Sequence, residues 1–397
     1  MFLGEHPFRR NPPVDALYPK LALFRTLGEF NEVWYSIGMT RDKASGSASY
    51  SFDELAIWRT KLPETNHAIL PPRNNRPNPL VTEDMVYASV FSPGAVCALE
   101  RQTGRLVWRR EIPGLAASSV HLAQRKLLAQ TSNTVYGLEP ETGETIWSFC
   151  PYGEDSGESI YSQPTLHRNS VFVGDRCGFL HCLDSRTGLT NWKKRTSQAK
   201  NCSLNSTPVV EEGLVIVGTN ANMAAAYNAK TGERVWVRKL NGPSGFGPLL
   251  CRGLLAVVTD SIYLLKPENG KVVRRFFWKG HGVSHAECTS KEIFAILRGD
   301  WATDGSVKLV ALNEKGIRFT ETCTAFAGFL RYSNERKLIY VSHLEGIDVR
   351  RAESGVIACK IERRNRPAGN GSVDVKENTI YVLTMDGYVY ALRHPGI

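Results

Sequence analysis

The chain has 397 residues, of which 42% are hydrophobic and 22% are charged. These fractions are ordinary for a globular protein, and no apolar run approaches the ~18 residues of a membrane span, so the composition excludes a disordered chain and a membrane-spanning helix. The formal charge of +10 and the pI of about 9.1 are compatible with an acidic partner without requiring one.

Residues 1–52 are predicted to form an extension outside the main fold. The start of the chain, Met1–Arg10, lacks the apolar core of a secretion signal, and the Ser/Gly/Ala tract Ala44–Ser49 is typical of a loop. Between them, apolar residues at helical spacing predict a helix in Val14–Tyr35. They are Leu17, Leu21, Phe24 and Leu27. Packing on the main fold, docking of a partner and disorder all stay open for this segment.

Four near-copies of one phrase follow, each with a Thr-Gly turn four residues before a tryptophan. They are Ala98–Trp108, Gly137–Trp147, Cys182–Trp192 and Ala226–Trp236. The copies recur at roughly 40 to 45 residues, a period typical of solenoids, propellers and repeat arrays. In each phrase a strand precedes the turn, the glycine supplies a positive φ, and a second strand ends on a large aromatic side chain.

Two further short strands precede each copy, for example Pro164–Arg168 and Ser170–Gly174. Each repeat therefore has four antiparallel strands in about 42 residues, which is the proportion of a propeller blade. The sequence predicts an all-β propeller.

Weaker copies extend the count towards the end of the chain. Leu265–Gly270 keeps the turn but has Arg274 at the tryptophan position, Ala311–Gly316 is one residue short, and Val349–Gly355 has Cys359 at that position. The last unit, Gly371–Leu392, has three strands only. We expect Leu55–Lys61, with Trp58, to supply the missing strand, because a closed ring leaves no open sheet edge at the joint.

This count predicts eight blades, with seven as the alternative because the fifth to seventh copies are degenerate. The propeller domain is predicted to span residues 53–397. Its closing strand comes from near the N-terminus of the chain.

The phrases closely resemble the tryptophan-docking repeat of the pyrroloquinoline-quinone-like (PQQ-like) propeller family over about residues 53–393. The resemblance implies that the tryptophan of one blade packs against the turn of the next. It therefore implies a structural role for Trp58, Trp108, Trp147, Trp192 and Trp236. The family includes quinone-dependent dehydrogenases, the lipoprotein scaffold of outer-membrane assembly and many partner-binding modules, and the fold alone does not choose among them.

The nine cysteines are scattered without paired spacing, and several lie at strand-like positions such as Cys97 and Cys182. Thiols used in this way often behave as small core side chains. Unpaired spacing is typical of a reducing compartment, so we expect a cytoplasmic protein.

Enzyme chemistry has little support in the sequence, although the question stays open. Quinone dehydrogenases resemble each other in a disulfide of adjacent cysteines and a calcium site, and no two cysteines are adjacent here. His281 and His285 stand four apart, but in a strand or loop that spacing is too wide for a shared metal. No catalytic residue, cofactor or metal ligand is predicted.

A basic loop sector is the predicted partner site. Two loops near the ring closure, Leu62–Leu80 and Glu362–Asn370, bring several arginines together, and arginine forks suit carboxylates and phosphates. The residues expected to contact a partner are Arg73, Arg76, Arg363, Arg364 and Arg366, with Trp301 on the loop Arg298–Gly305 and His281 beside it. Simple solvation of the loops is the alternative.

Together these features predict a non-catalytic scaffold for protein–protein interaction within a larger assembly, with protein partners and no membrane contact. Two other functions stay open. One is a nucleic-acid-binding subunit that uses the basic loops, and the other is an enzyme or small-molecule binder with its site at the ring axis.

Overall fold

The protein is described here by a computed structural model. The described residues are 47–63, 78–90, 94–114, 120–153, 159–160, 162–199, 202–244, 247–299, 306–324, 329–343, 345–363, 372–384 and 386–397. The predicted helix within Val14–Tyr35 lies outside them.

The unit Ser47–Ile397 is an all-β propeller. Within the described residues its strands form eight sheets, seven with four strands and one with five. The prediction of eight blades is confirmed, and the alternative of seven is wrong. The single helix of the described residues is one turn long, α1 (Phe52–Leu55).

Two strands precede the first complete blade: β1 (Ala48–Ser51) and β2 (Ala56–Lys61). Blades 1 to 4 then consist of β3 (Leu80–Val81), β4 (Met85–Val90), β5 (Ala95–Glu100) and β6 (Leu106–Glu111); β7 (His121–Ala123), β8 (Lys126–Gln130), β9 (Val135–Leu138) and β10 (Thr145–Phe149); β11 (Thr165–His167), β12 (Ser170–Gly174), β13 (Phe179–Asp184) and β14 (Thr190–Arg195); and β15 (Val209–Glu211), β16 (Leu214–Thr219), β17 (Met223–Asn228) and β18 (Arg234–Lys239).

Blades 5 to 8 follow in the same order: β19 (Leu249–Cys251), β20 (Leu254–Val258), β21 (Ser261–Leu265) and β22 (Val272–Phe277); β23 (His281–Cys288), β24 (Ile293–Gly299), β25 (Val307–Asn313) and β26 (Gly316–Thr322); β27 (Phe329–Ser333), β28 (Leu338–His343), β29 (Gly346–Arg351) and β30 (Ile357–Glu362); and β31 (Ser372–Lys376), β32 (Thr379–Leu383) and β33 (Tyr388–Arg393).

The ring closes through β2, which is the fourth strand of blade 8. It pairs antiparallel with β33, so that Trp58 lies opposite Ala391 and Lys61 opposite Tyr388. The strand starts one residue later than the predicted Leu55, because Leu55 ends α1. A capping box holds that turn, in which the Ser51 hydroxyl accepts from the Glu54 N–H and the Glu54 carboxylate accepts from the Ser51 N–H.

Blade 7 carries a fifth strand that the sequence pattern did not predict. β1 pairs parallel with β30 over four residues, from Ala48 opposite Cys359 to Ser51 opposite Glu362. The tract predicted as a loop therefore ends in a strand, because the outer edge of blade 7 supplies hydrogen-bond partners that local propensity does not reveal. The propeller unit starts at Ser47, earlier than the predicted residue 53.

The core lies between the blades rather than within them. The second and third strands of the blades are almost fully buried, as in β4 and β5. Each of the eight apolar clusters formed by the described residues combines side chains of two neighbouring blades. The cluster of Tyr340, Ile347, Val373 and Ile380, for example, joins blades 7 and 8. A blade thus buries its apolar faces only when both of its neighbours are in place.

First strands of neighbouring blades contact one another around the ring. β23 contacts both β19 and β27, and β31 contacts both β27 and β3. The fourth strands, in contrast, carry most of the exposed large apolar side chains. The first strands therefore line the inner side of the ring, and the fourth strands form its outer edge.

Candidate interaction surface

The five tryptophans of the repeat lie at the joints between blades. Each indole Nε1 donates a hydrogen bond to a backbone carbonyl in the turn of the next blade. The acceptors are Arg101 for Trp58 at 2.9 Å, Pro140 for Trp108 at 2.9 Å, Ser185 for Trp147 at 3.0 Å, Ala229 for Trp192 at 3.2 Å and Pro267 for Trp236 at 2.8 Å. Each indole ring also packs against the glycine in that turn of the next blade. These side chains are thus occupied in holding the ring together.

The residue two positions after the tryptophan often bonds the same turn. Arg110 Nε donates to the Gly143 carbonyl at 2.7 Å, and Arg238 Nε donates to the Gly270 carbonyl at 2.9 Å. The Thr60 hydroxyl donates to the Gly104 carbonyl at 2.6 Å at the ring closure. Part of the positive charge on the outer strands is therefore used within the joints.

At two degenerate joints an arginine replaces the indole as the hydrogen-bond donor, although in blade 6 the tryptophan position itself holds Phe319 and the donor is its neighbour Arg318. Arg274, at the tryptophan position of blade 5, donates from Nη1 to the Glu314 carbonyl at 2.7 Å. In blade 6, Arg318 donates to the carbonyls of Ala352 and Glu353, and the neighbouring Phe319 ring lies against Gly355. The same acceptor position in the next blade is satisfied each time, which explains how blades with divergent sequences still close the ring.

Arg363 does not belong to an exposed basic sector, and that prediction is wrong. Its guanidinium forms a two-pronged ion pair with Asp386, at 3.0 and 2.8 Å, and donates to the Tyr390 hydroxyl at 3.1 Å. Its side chain is only 4% exposed. The Asp386 carboxylate of blade 8 neutralises the guanidinium, so Arg363 is not available to bind a partner through that group. The other predicted contacts, Arg73, Arg76, Arg364, Arg366 and Trp301, lie outside the described residues.

His281 begins β23 on the inner side of the ring. Its Nε2 lies 2.9 Å from the Ser306 hydroxyl, and its Nδ1 lies 3.3 Å from the Lys279 carbonyl. His285, four residues on, packs edge-on against the Phe329 ring, and burial lowers its pKa to about 4. Among the described residues, no group of three or more histidine, cysteine, aspartate or glutamate side chains is placed to hold a metal ion.

A charged network that sequence reasoning missed links the first strands of blades 6, 7 and 8. Arg331 in β27 pairs with Asp374 in β31 at 2.9 Å and lies 3.4 Å from Glu287 in β23. Glu287 also accepts the Tyr332 N–H at 2.8 Å, and burial raises its pKa to about 7 against the opposing effect of Arg331. In the sequence, this network is indicated only by a charged residue in the first strand of each of the three blades. The groups satisfy one another and tie three blades together.

Buried aspartates form charged contacts within blades 3 and 7. Asp175 accepts the Phe179 N–H at 2.8 Å and lies 2.7 Å from His181 Nε2. Asp348 lies 3.1 Å from Arg350. His343 and Arg350 hold the pKa of Asp348 down at about 2 although burial opposes them. These clusters are enclosed within the blades, which suits stabilisation of the fold rather than contact with a substrate.

The outer strands of blades 4 and 5 expose apolar side chains. Val235 and Val237 in β18 are 51% and 43% exposed, and Val273 and Phe277 in β22 are 48% and 57% exposed. Arg275 lies between the last two and stacks over the Phe277 ring at 5.2 Å. Exposed aromatic and aliphatic side chains with arginine beside them are typical of protein-binding surfaces.

Trp236 lies between the two valines of β18 and points towards blade 5, so these valines face away from blade 5. Phe276 points towards blade 6, so Val273, Arg275 and Phe277 face blade 4. We call these two neighbouring patches together the β18/β22 surface.

Comparison with known proteins places the chain in a family. The model of the family described as outer membrane protein assembly factor BamB (PQQ_2) matches residues 53–148 and 131–293. The outer membrane protein assembly factor BamB of Legionella pneumophila (strain Paris) is 28% identical over 196 residues, which are 46% of this chain and 48% of that protein. The protein of the same name from Yersinia pestis is 27% identical over 251 residues, 60% of this chain and 62% of its own length.

Other matches carry different names. A tetrathionate hydrolase of Acidithiobacillus ferrooxidans is 24% identical over 186 residues, 43% of this chain and 36% of that protein. The chain thus spans less than two thirds of the length of these curated relatives. Among solved structures, the quinohemoprotein alcohol dehydrogenase of Comamonas testosteroni is similar with a TM-score of 0.66 at 12% identity, over 86% of this chain and 76% of that one. This likeness concerns the fold alone.

No helix within the described residues has the length and apolar character needed to cross a membrane.

Proposed function

This chain belongs to the PQQ-like propeller family described as outer membrane protein assembly factor BamB, and from this premise we propose that it is a non-catalytic scaffold that holds protein partners within a larger assembly. Relatives with the BamB name support an assembly role. Relatives named as a hydrolase and as quinohemoprotein dehydrogenases make enzyme activity the rival to be tested.

The β18/β22 surface is the observation that carries the proposal. It exposes two valines of blade 4 and a valine and a phenylalanine of blade 5 to solvent. Burying these side chains against a partner gains roughly 25 cal/mol for each Å² of apolar area removed from water. Arg275 adds a charge that suits carboxylates at the rim of such a contact.

The buried polar groups support the same proposal. The carboxylates of Asp175 and Asp348 are engaged with a histidine or an arginine of their own blade, and Asp386 of blade 8 is paired with Arg363, which follows the last strand of blade 7. A group that serves as a general acid or base must reach its substrate, and Asp175 and Asp348 lie inside the blades.

The test is recovery of the full-length chain from its native cells after mild crosslinking, followed by mass spectrometry. We expect a stoichiometric protein partner with crosslinks near β18 and β22. The double variant Val273→Ser/Phe277→Ser should lose it. Leu189→Ser, at a side chain 70% exposed in the blade 3 turn, is the matched control and should retain it.

The rival is tested on the same purified chain. Reduction of an artificial electron acceptor by alcohols after addition of quinone and calcium, with no partner recovered by crosslinking, would overturn the scaffold proposal. Loss of the partner in both the double variant and the control would place the contact elsewhere and contradict the β18/β22 surface as its site.

A further inference from the structure

The fourth strand of blade 2 differs from the other outer strands in having no charged residue. β10 reads Thr-Ile-Trp-Ser-Phe, whereas the outer strands of the other blades each contain lysine or arginine. Their cations are Arg109 and Arg110 in β6, Lys193, Lys194 and Arg195 in β14, Arg234, Arg238 and Lys239 in β18, Arg274 and Arg275 in β22, Arg318 in β26, Lys360 in β30, and Arg59 and Lys61 in β2.

Charged side chains on an edge strand prevent another strand from pairing with it. β10 is the last strand of its sheet, and in the described part of the chain no strand pairs with its outer edge. Trp147 points into the joint with blade 3, while Ile146 beside it is 43% exposed. The edge of β10 is thus open and uncharged.

Blade 7 demonstrates that the outer edge of a blade in this fold accepts a further strand. β1 adds to β30 in parallel, with four consecutive residue pairs. β30 contains a single lysine, Lys360, and is thus one of the less basic outer strands. The geometry of strand addition at this edge is therefore already realised once within the chain.

The turn beside β10 is acidic, in a chain whose formal charge is +10. Glu144 directly precedes the strand, Glu141 lies three residues before Glu144, and both are exposed. Interaction with Glu141 also raises the pKa of Glu139 in the same turn. The corresponding turns of blades 1, 3 and 4 each contain a lysine or an arginine, and the blade 2 turn contains neither. A basic group at one end of an added strand would therefore be attracted to this turn.

We propose that the outer edge of β10 binds an extended segment of a partner protein by strand addition, with lysine or arginine at the end that lies beside Glu141 and Glu144. Main-chain hydrogen bonds along β10 provide the affinity, and contact with Ile146 and the acidic turn provides the selectivity. This inference rests on the proposed scaffold function, because it names the chemistry of one partner segment.

The probe is a labelled peptide of alternating valine and threonine with two terminal lysines, added to the full-length protein. We expect saturable binding, with slower amide hydrogen exchange across Thr145–Phe149. Ile146→Lys, which gives β10 the charge that other edges carry, should weaken binding at least tenfold. Because Ile146 is already exposed, this change should leave the melting temperature almost unaltered.

Four controls make the result decisive. Leu189→Lys adds the same charge in blade 3 and should leave binding unchanged. A peptide with glutamates in place of the lysines should bind less tightly, and one with a central proline should not bind, because proline interrupts the main-chain ladder. Charge reversal by Glu141→Lys/Glu144→Lys should reduce the preference for the lysine peptide.

Unchanged exchange at Thr145–Phe149 or full binding by the Ile146→Lys variant would overturn the inference. A dimer of the free chain that Ile146→Lys abolishes would also overturn it, in favour of a second copy of this chain at the edge. If the crosslinked native partner is retained by the Ile146→Lys variant while the peptide fails to bind, this inference fails and the scaffold function stands. If no partner is recovered at all, the scaffold function itself fails.

Discussion

His394 is held in a setting that suits only its neutral form. Its Nε2 lies 2.8 Å from the Tyr340 hydroxyl, and its Nδ1 accepts the Gly396 N–H at 3.2 Å with Arg336 Nη1 at 3.3 Å. A proton on Nδ1 would face two donors, one of them cationic. Burial and Arg336 accordingly lower the pKa of His394 to about 4.

This geometry predicts a pH dependence of stability. The unfolded chain protonates His394 near its ordinary pKa of about 6.5, whereas the folded chain does so only near 4. The unfolded state therefore binds more protons in that window, and the free energy of unfolding falls by up to about 3 kcal/mol as the pH drops from 7 to 4. Chemical denaturation at several pH values, with His394→Gln beside the wild type, measures it.

His394→Gln should reduce the dependence of the free energy of unfolding on pH between 7 and 4. His285, whose pKa is also about 4, should account for part of the pH dependence that remains. Tyr340→Phe is the control. It removes a hydrogen bond and keeps the imidazole, so it should lower stability without changing the slope. Identical slopes in His394→Gln and the wild type would contradict the assignment.

The joint between blades depends on a turn glycine as much as on a tryptophan. Gly143 has a φ of +71°, and a methyl group on it would lie 2.6 Å from Trp108 Cε3. Gly213 has a similar φ of +78° in the hairpin between β15 and β16, with no atom within 4 Å of that position. Both glycines therefore need a positive φ, and only at Gly143 does an indole ring also leave no room for a side chain.

Alanine at these two positions should separate the two effects. Gly213→Ala should cost about 1–2 kcal/mol for a left-handed conformation alone. Gly143→Ala should cost the same plus roughly 1–3 kcal/mol for the crowding of the indole. Urea unfolding of the two variants gives the difference directly. Equal losses would mean that the indole moves away freely and that docking is loose.

The blades and their turns could be predicted from the sequence because each repeat contains its own turn and strand pattern within about 42 consecutive residues. The Thr-Gly turns and the spacing to the tryptophan identified four blades, and the degenerate copies with the closing strand around Trp58 extended the count to eight. The burial of Arg363 could not be predicted because its partner, Asp386, lies in a different hairpin and nothing in the local sequence of Arg363 indicates the ion pair. The strand at Ala48–Ser51 was missed because its partner, β30, lies hundreds of residues away and its own composition is that of a loop.

At the scale of the whole molecule, stability depends on closure. The eight apolar clusters of the part of the chain that the structure describes all lie between blades, so opening one joint exposes apolar side chains on both of its faces. Blade 8 is assembled from both ends of the propeller unit, through β2 and β33. Since Ala56 lies opposite Leu392, the start of β2 is close to the end of β33, and the closing strand does not need to come from the N-terminal side.

A rearranged chain tests this dependence on closure. A chain of residues 64–397 lacks the closing strand, and we expect it to aggregate and to bind a hydrophobic dye, because the blade 8 edge and the joint to blade 1 are exposed. A chain of residues 64–397 followed by a short Gly/Ser linker and residues 53–63 restores β2 beside β33. It should be a monomer with a cooperative unfolding transition, measured by size-exclusion chromatography and calorimetry.

Trp58→Ala in this rearranged chain should lower its melting temperature, because the hydrogen bond to the Arg101 carbonyl and the contact with Gly104 are lost. A well-folded monomer without residues 53–63 would mean that blades 1 to 7 are stable as an open ring, and that the joint through Trp58 is not needed to hold the propeller together.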